Sequence, residues 1–80
     1  MIVEIKIFST LKRYVAGSDM LVGDNRWELP EGITARELGK KLKIPDKEIK
    51  IILINGRKAA EDHVLNQDDS VYIFPILMGG

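Results

Sequence analysis

The sequence predicts an α+β domain: a mixed sheet of four to five strands, one main helix across one face, and a short extra helix. Three observations carry this. Val3, Ile5 and Ile7 alternate with Glu4 and Lys6, the period of a half-buried strand. Thr34 and Glu37 form a capping box at the head of an apolar stripe with helical spacing. Asn55-Gly56, between two short runs, is a strong hairpin signal.

Ile2 to Phe8 read as the first strand. Phe8 falls on the Glu4 and Lys6 side, which puts an aromatic ring on the outer face. Thr10 to Val15 predict the short helix, with Leu11, Tyr14 and Val15 at helical spacing. Ala16 to Asn25 hold two glycines and two aspartates and read as a loop. Arg26 to Leu29 predict a short strand with Trp27 and Leu29 on one face, ended by Pro30-Glu31-Gly32. In the main helix Thr34 is the N-cap, and Ile33 and Leu38 are placed as a hydrophobic staple. Ala35, Leu38, Gly39 and Leu42 line its inner face, Arg36, Lys40 and Lys41 point away, and Pro45 lies just past its end. Lys50 to Ile54 are rich in β-branched residues and read as a central strand, with Arg57 to Ala60 as partner across the turn. Glu61 to Ser70 form a polar connection. Val71 to Phe74 are the last strand, with Val71 and Ile73 on one face and Tyr72 and Phe74 on the other. The order is strand, strand, helix, then three strands, and a helix across one face of the sheet is its economical packing.

Composition narrows the function. Eighty residues make one domain with a small core. Twelve basic and twelve acidic residues cancel, so binding to nucleic acid through its phosphates is not expected. The cluster Lys40-Lys41-Leu42-Lys43 is the solvated side of a helix. No apolar run is long enough to span a membrane and no signal-peptide layout is present, so a cytoplasmic protein is expected. The absence of cysteine excludes disulfides, thiolate metal sites and thiol nucleophiles. His63 is the single histidine and reads as a surface loop residue. Glu61-Asp62 and Asp68-Asp69 read as a solvated loop rather than paired catalytic carboxylates, since nothing nearby in sequence would desolvate one of them.

The sequence divides into a domain at 1–75 and a flexible tail at 76–80, in which Ile76, Leu77 and Met78 lead to Gly79-Gly80. Glycine has no Cβ, so such a backbone enters a narrow partner channel. The five residues from Ile76 to Gly80 reach about 17 Å when extended. The expected reactive group is the carboxylate of Gly80. An α-carboxyl with a pKa of about 3.3–3.7 is ionised at neutral pH and is a poor electrophile. A partner must therefore activate it, and ATP-dependent acyl-adenylation is the natural route. The other reading, a frayed terminus without function, stays open at this point.

Three stretches carry a family resemblance. They are Phe8-Ser9-Thr10-Leu11-Lys12-Arg13 followed by Gly17, then Ile52-Leu53-Ile54-Asn55-Gly56, and finally Leu65 through Asp69 and Val71 to Phe74-Pro75, followed by Gly79-Gly80. Together they resemble the ubiquitin-like sulfur carriers of the MoaD/ThiS family over essentially the whole chain. The Phe-Pro pair before the diglycine is closest to the small subunit of molybdopterin synthase. Departures are Asp68 where the family has glycine, Ile76 where a second proline often follows, Met78 where a small residue is common, and an unmatched segment from Ala16 to Asn25.

The resemblance implies a ubiquitin-like β-grasp fold and a carrier rather than an enzyme. A ubiquitin-activating-type adenylyltransferase, using ATP and Mg, would adenylate Gly80, and sulfur would then displace AMP to leave a thiocarboxylate. The large subunit of molybdopterin synthase, or an equivalent acceptor enzyme, would take the sulfur. The chain itself would bind no cofactor and no metal. Phe8, Tyr72, Phe74 and Pro75 would form the partner-binding surface, provided that no other element covers them. Other readings are a carrier for thiamine or tRNA thiolation, a modifier conjugated through Gly80, and an interaction module of related fold.

Overall fold

The computed structural model describes residues 1–15 and 21–76. The sheet is built from β1 (Ile2–Ile7), β2 (Leu21–Gly23), β3 (Arg26–Glu28), β4 (Ile49–Ile54), β5 (Arg57–Lys58) and β6 (Ser70–Pro75). The helix α1 spans Ala35–Lys41, and short 3-10 helices cover Ser9–Tyr14 and Asp46–Glu48. Strand order is β2-β3-β1-β6-β4-β5. β1 and β6 are parallel, with Ile5 opposite Val71 and Ile7 opposite Ile73. The other pairs are antiparallel.

Period-two alternation sets the inner face of the two central strands. Val3, Ile5 and Ile7 of β1 and Val71 and Ile73 of β6 are buried, and α1 closes over that face with Ala35, Leu38 and Gly39. Leu11, Trp27, Leu29, Ile33, Leu42, Ile44, Ile54 and Leu65 join them in the core. The staple residues Ile33 and Leu38 are therefore both interior.

The expected capping box is present. Thr34 accepts from the Glu37 amide through Oγ1 (3.2 Å), and Glu37 Oε1 accepts from the Thr34 amide (3.0 Å). The loop carrying His63 satisfies two more orphan amides: Ala35 N–H donates to the His63 carbonyl (2.9 Å) and Arg36 N–H to the Glu61 carbonyl (3.0 Å). At the other end Lys43 takes a positive φ of 61°, Ile44 N–H donates to the Gly39 carbonyl, and Lys43 N–H donates to that of Lys40. This is a Schellman closure with lysine where glycine is usual. Thr34→Ala is expected to cost about 1 kcal/mol of stability, read from thermal unfolding. The hydrogen bonds from Thr34 hold the Glu37 carboxyl below its ordinary value of 4.5. A lowered carboxylate pKa contributes stability above the unfolded value, so this contribution fades as pH falls below about 4.5.

Three expectations are corrected. The segment read as a loop contains β2, whose Leu21 pairs with Trp27 and Gly23 with Arg26. Asp24 and Asn25 turn that hairpin, Asn25 at a φ of 57°. The sheet thus has six strands, with two short ones at its edges. β4 is not central, because only the two-residue β5 lies beyond it. Its turn is as expected: Asn55 (φ 54°) and Gly56 (φ 84°) both occupy the left-handed region that a two-residue hairpin needs. Asp69 is buried rather than solvated, at 8% exposure. It accepts from the Asn55 side-chain amide (2.9 Å) and the Asn66 amide (2.7 Å), while the Asn55 side-chain oxygen accepts from Ser70 N–H (2.9 Å). Those bonds compensate the burial of a charge and tie the hairpin to the start of β6. Glu61, Asp62, His63 and Asp68 are exposed, as expected.

Candidate functional site

The outward residues of β6 meet the end of β1. Phe8 N–H donates to the Ile73 carbonyl (3.2 Å), which sets its ring beside those of Tyr72 and Phe74. Phe8 and Phe74 stack at 4.7 Å with planes 3° apart. Tyr72 is tilted against both, at 5.7 Å from Phe8 and 6.3 Å from Phe74. Such pairs contribute about 0.5–1.5 kcal/mol each beyond buried area. Lys6 Nζ lies 5.6 Å from the Tyr72 ring centre, a cation–π distance. All three rings are half-buried, so no described element closes over them.

Leu53 pairs directly with Tyr72, and Ile51 with Phe74, so both extend this face. Both are half-buried. Sequence reasoning overlooked them because the run Ile51-Ile52-Leu53-Ile54 is apolar throughout, and no polar residue marks its outer face. Their offset by one from Ile52 and Ile54 was the available signal.

Pro75 does not join the patch. It follows Val71 and Ile73 on the inward period, is buried, and pairs with Ile49. Ile76 is 40% exposed, and its N–H donates to the Glu48 carbonyl (3.1 Å). The chain thus leaves the sheet directly beside the aromatic face. Leu77, Met78, Gly79 and Gly80 lie outside the described residues.

Elsewhere, a shallow hollow of about 430 Å³ is lined by Thr34, Arg36, Glu61 and Asp62. Arg36 and Glu61 form an exposed ion pair across it, and the Glu61 hydrogen bond and charge raise the Arg36 pKa. The cation is matched within the chain itself. Among the described residues, no three His, Asp or Glu side chains gather as metal ligands, and no helix is long and apolar enough to cross a membrane.

Solved structures share this architecture. A putative molybdopterin converting factor subunit 1 from Pyrococcus furiosus has a TM-score of 0.70 at 24% identity, covering 96% of this chain and 99% of that one. SAMP1 from Haloferax volcanii has a TM-score of 0.65 at 19% identity, with all of both chains covered. The Haloferax volcanii HVO 2177 protein has a TM-score of 0.69 at 25% identity, covering 100% of this chain and 87% of that one. No curated protein sequence matches the chain. The ThiS family model matches residues 5–80, nearly the whole sequence. With its mixed sheet and single crossing helix, this ubiquitin-like β-grasp chain belongs to the ThiS family.

Proposed function

We propose that the chain is a sulfur carrier acting through Gly80 in molybdenum or tungsten cofactor biosynthesis. The observation that carries the reading is the family match, which runs through Gly79-Gly80. An ATP- and Mg-dependent adenylyltransferase of the ubiquitin-activating type forms the acyl-adenylate. Sulfur displaces AMP, and the resulting thiocarboxylate is taken up by a molybdopterin synthase large subunit or an equivalent acceptor. The branch is supported by the Phe74-Pro75 pair and by the likeness in fold to the putative molybdopterin converting factor subunit 1 of Pyrococcus furiosus. On this reading the chain supplies the acyl group and the docking face, works in the cytoplasm, and binds no cofactor. The acids, bases and metal of the reaction belong to its partners.

Phe8, Tyr72 and Phe74, extended by Leu53 and Ile51, dock the partner beside the point where residues 76–80 leave the sheet. A partly exposed aromatic cluster of this kind is typical of an interface. Phe74→Ala is expected to weaken binding of the activating enzyme about tenfold or more, with the domain still folded by circular dichroism. Parent-like binding by a folded variant rules out the docking role.

A second reading has its own support: one structural neighbour is titled small archaeal modifier protein 1, at 21% identity and a TM-score of 0.65. In that case Gly80 ends in an isopeptide bond to a lysine. Gel mobility separates the two. Thiocarboxylates are retarded in an organomercury gel, and this chain has no cysteine to mimic them. A mercury-dependent shift in protein from the native host is the expected result. A ladder of larger conjugates without that shift transfers the assignment to a modifier.

A further inference from the structure

Three segments distant in sequence meet where the chain leaves β6. The Tyr14 hydroxyl donates to Glu48 Oε2 and accepts from the Arg13 guanidinium (2.9 Å). That guanidinium lies 4.9 Å from the Tyr14 ring centre and 3.7 Å from Glu48 Oε2. The backbone of Glu48 holds the other end, its carbonyl accepting the Ile76 amide at 3.1 Å. Ile49, the next residue, pairs with Pro75. The Tyr14 ring also packs against the edge of the core, so Tyr14→Phe keeps that packing and removes only the hydroxyl. Tyr14 and Glu48 are only half-buried, and Arg13 is exposed.

We propose that Tyr14 and Glu48 are positioning residues that fix the backbone of Ile76, four residues before Gly80. Glu48 ends a 3-10 helix of three residues that runs directly into β4. The Tyr14 hydrogen bond anchors that turn to the first 3-10 helix, and its carbonyl thereby stays aimed at Ile76. Ile76 is then fixed one residue beyond β6, and the four residues that follow it in sequence can span at most about 13 Å, against about 17 Å for five. A partner with a channel of fixed depth gains from this, since fewer tail conformers compete with the one that enters. The inference rests on the carrier reading of Gly80.

Two measurements on the full 80-residue chain test it. The first is amide hydrogen exchange by NMR. Tyr14→Phe and Glu48→Ala are expected to speed exchange at Ile76 about three- to tenfold, with Ile5 and Ile73 unchanged. Glu48→Gln, whose side-chain oxygen still accepts from Tyr14, restores slow exchange. The second is ATP-dependent thiocarboxylate formation in host lysate, followed on organomercury gels over a range of carrier concentrations. The apparent KM is expected to rise about three- to tenfold in Tyr14→Phe and Glu48→Ala, with maximal rate unchanged and Glu48→Gln close to the parent. Parent-like exchange at Ile76 in both disruptive variants overturns the proposal, as does accelerated exchange with an unaltered KM. If the parent itself forms no thiocarboxylate, the carrier reading fails, and Ile76 exchange alone decides whether the tie exists.

Discussion

Deletion of Gly80 is expected to abolish thiocarboxylate formation, with no mercury-dependent shift detectable in protein from the native host. The argument is chemical. In the proposed reaction the reacting carbon is the terminal carboxyl carbon, and truncation would move it one residue, about 3.3–3.6 Å, back from the partner's catalytic groups. A displacement of even 1 Å costs about 100-fold in a positioned reaction. Stability gives the control. Glycine carries no side chain, and among the described residues the last buried one is Pro75, so the deletion removes no buried side chain that the structure describes. The unfolding midpoint should hold to within the ±0.5 kcal/mol typical of surface changes. A deletion variant that still shifts on mercury gels would falsify the assignment of chemistry to Gly80. A variant that loses both the shift and its fold would show that the end of the chain supports the domain.

Leu38→Ala is expected to remove about 2–5 kcal/mol of stability. Leu38 is fully buried at the middle of α1, where that helix crosses the sheet. It also forms the inner half of the staple with Ile33. Truncation leaves a cavity that neighbours on two layers can fill only partly, because strands and helix are each held by their own hydrogen bonds. A domain of this size has about 4–12 kcal/mol in all, so the loss is a large share of the total. In urea the midpoint should fall sharply with the slope unchanged. Lys40→Ala, on the exposed side of the same helix, should change stability by no more than about 0.5 kcal/mol. A loss below about 1 kcal/mol for Leu38→Ala contradicts the packing described.

Local physics explains which features were legible in the sequence. The Thr34–Glu37 box, the Asn55-Gly56 turn and the alternation in β1 and β6 each depend on residues a few positions apart, so sequence spacing reveals them. β2 does not. Its three residues include a glycine, and they become a strand only because β3 offers hydrogen-bonding partners. Asp69 reads as a surface acid until the fold brings Asn55 to it from the hairpin turn. Pro75 is assigned to the wrong face if grouped with Phe74, although strict alternation from Val71 places it inward. Ile51 and Leu53 hide in an apolar run. The meeting of Tyr14, Glu48 and Ile76 joins three segments that no motif links. The aromatic face was legible because Tyr72 and Phe74 alternate with Val71 and Ile73, and Phe8 follows the strand that lies beside them.

The parallel pairing of β1 with β6 has a kinetic consequence. The first strand waits for the last, and Ile5 finds Val71 only after nearly the whole chain has been made. The entropy of closing so large a loop comes before the pairing that rewards it, which slows folding and makes it all-or-none. On the ribosome, a nascent chain that has not yet released β6 has an unpaired edge on β1 and lacks Val71 and Ile73 from the inner layer under α1. Completion of the sheet and assembly of the aromatic face of Phe8, Tyr72 and Phe74 are therefore one event. Under the proposed carrier function, a partner that docks on the β1–β6 face selects chains that have already folded.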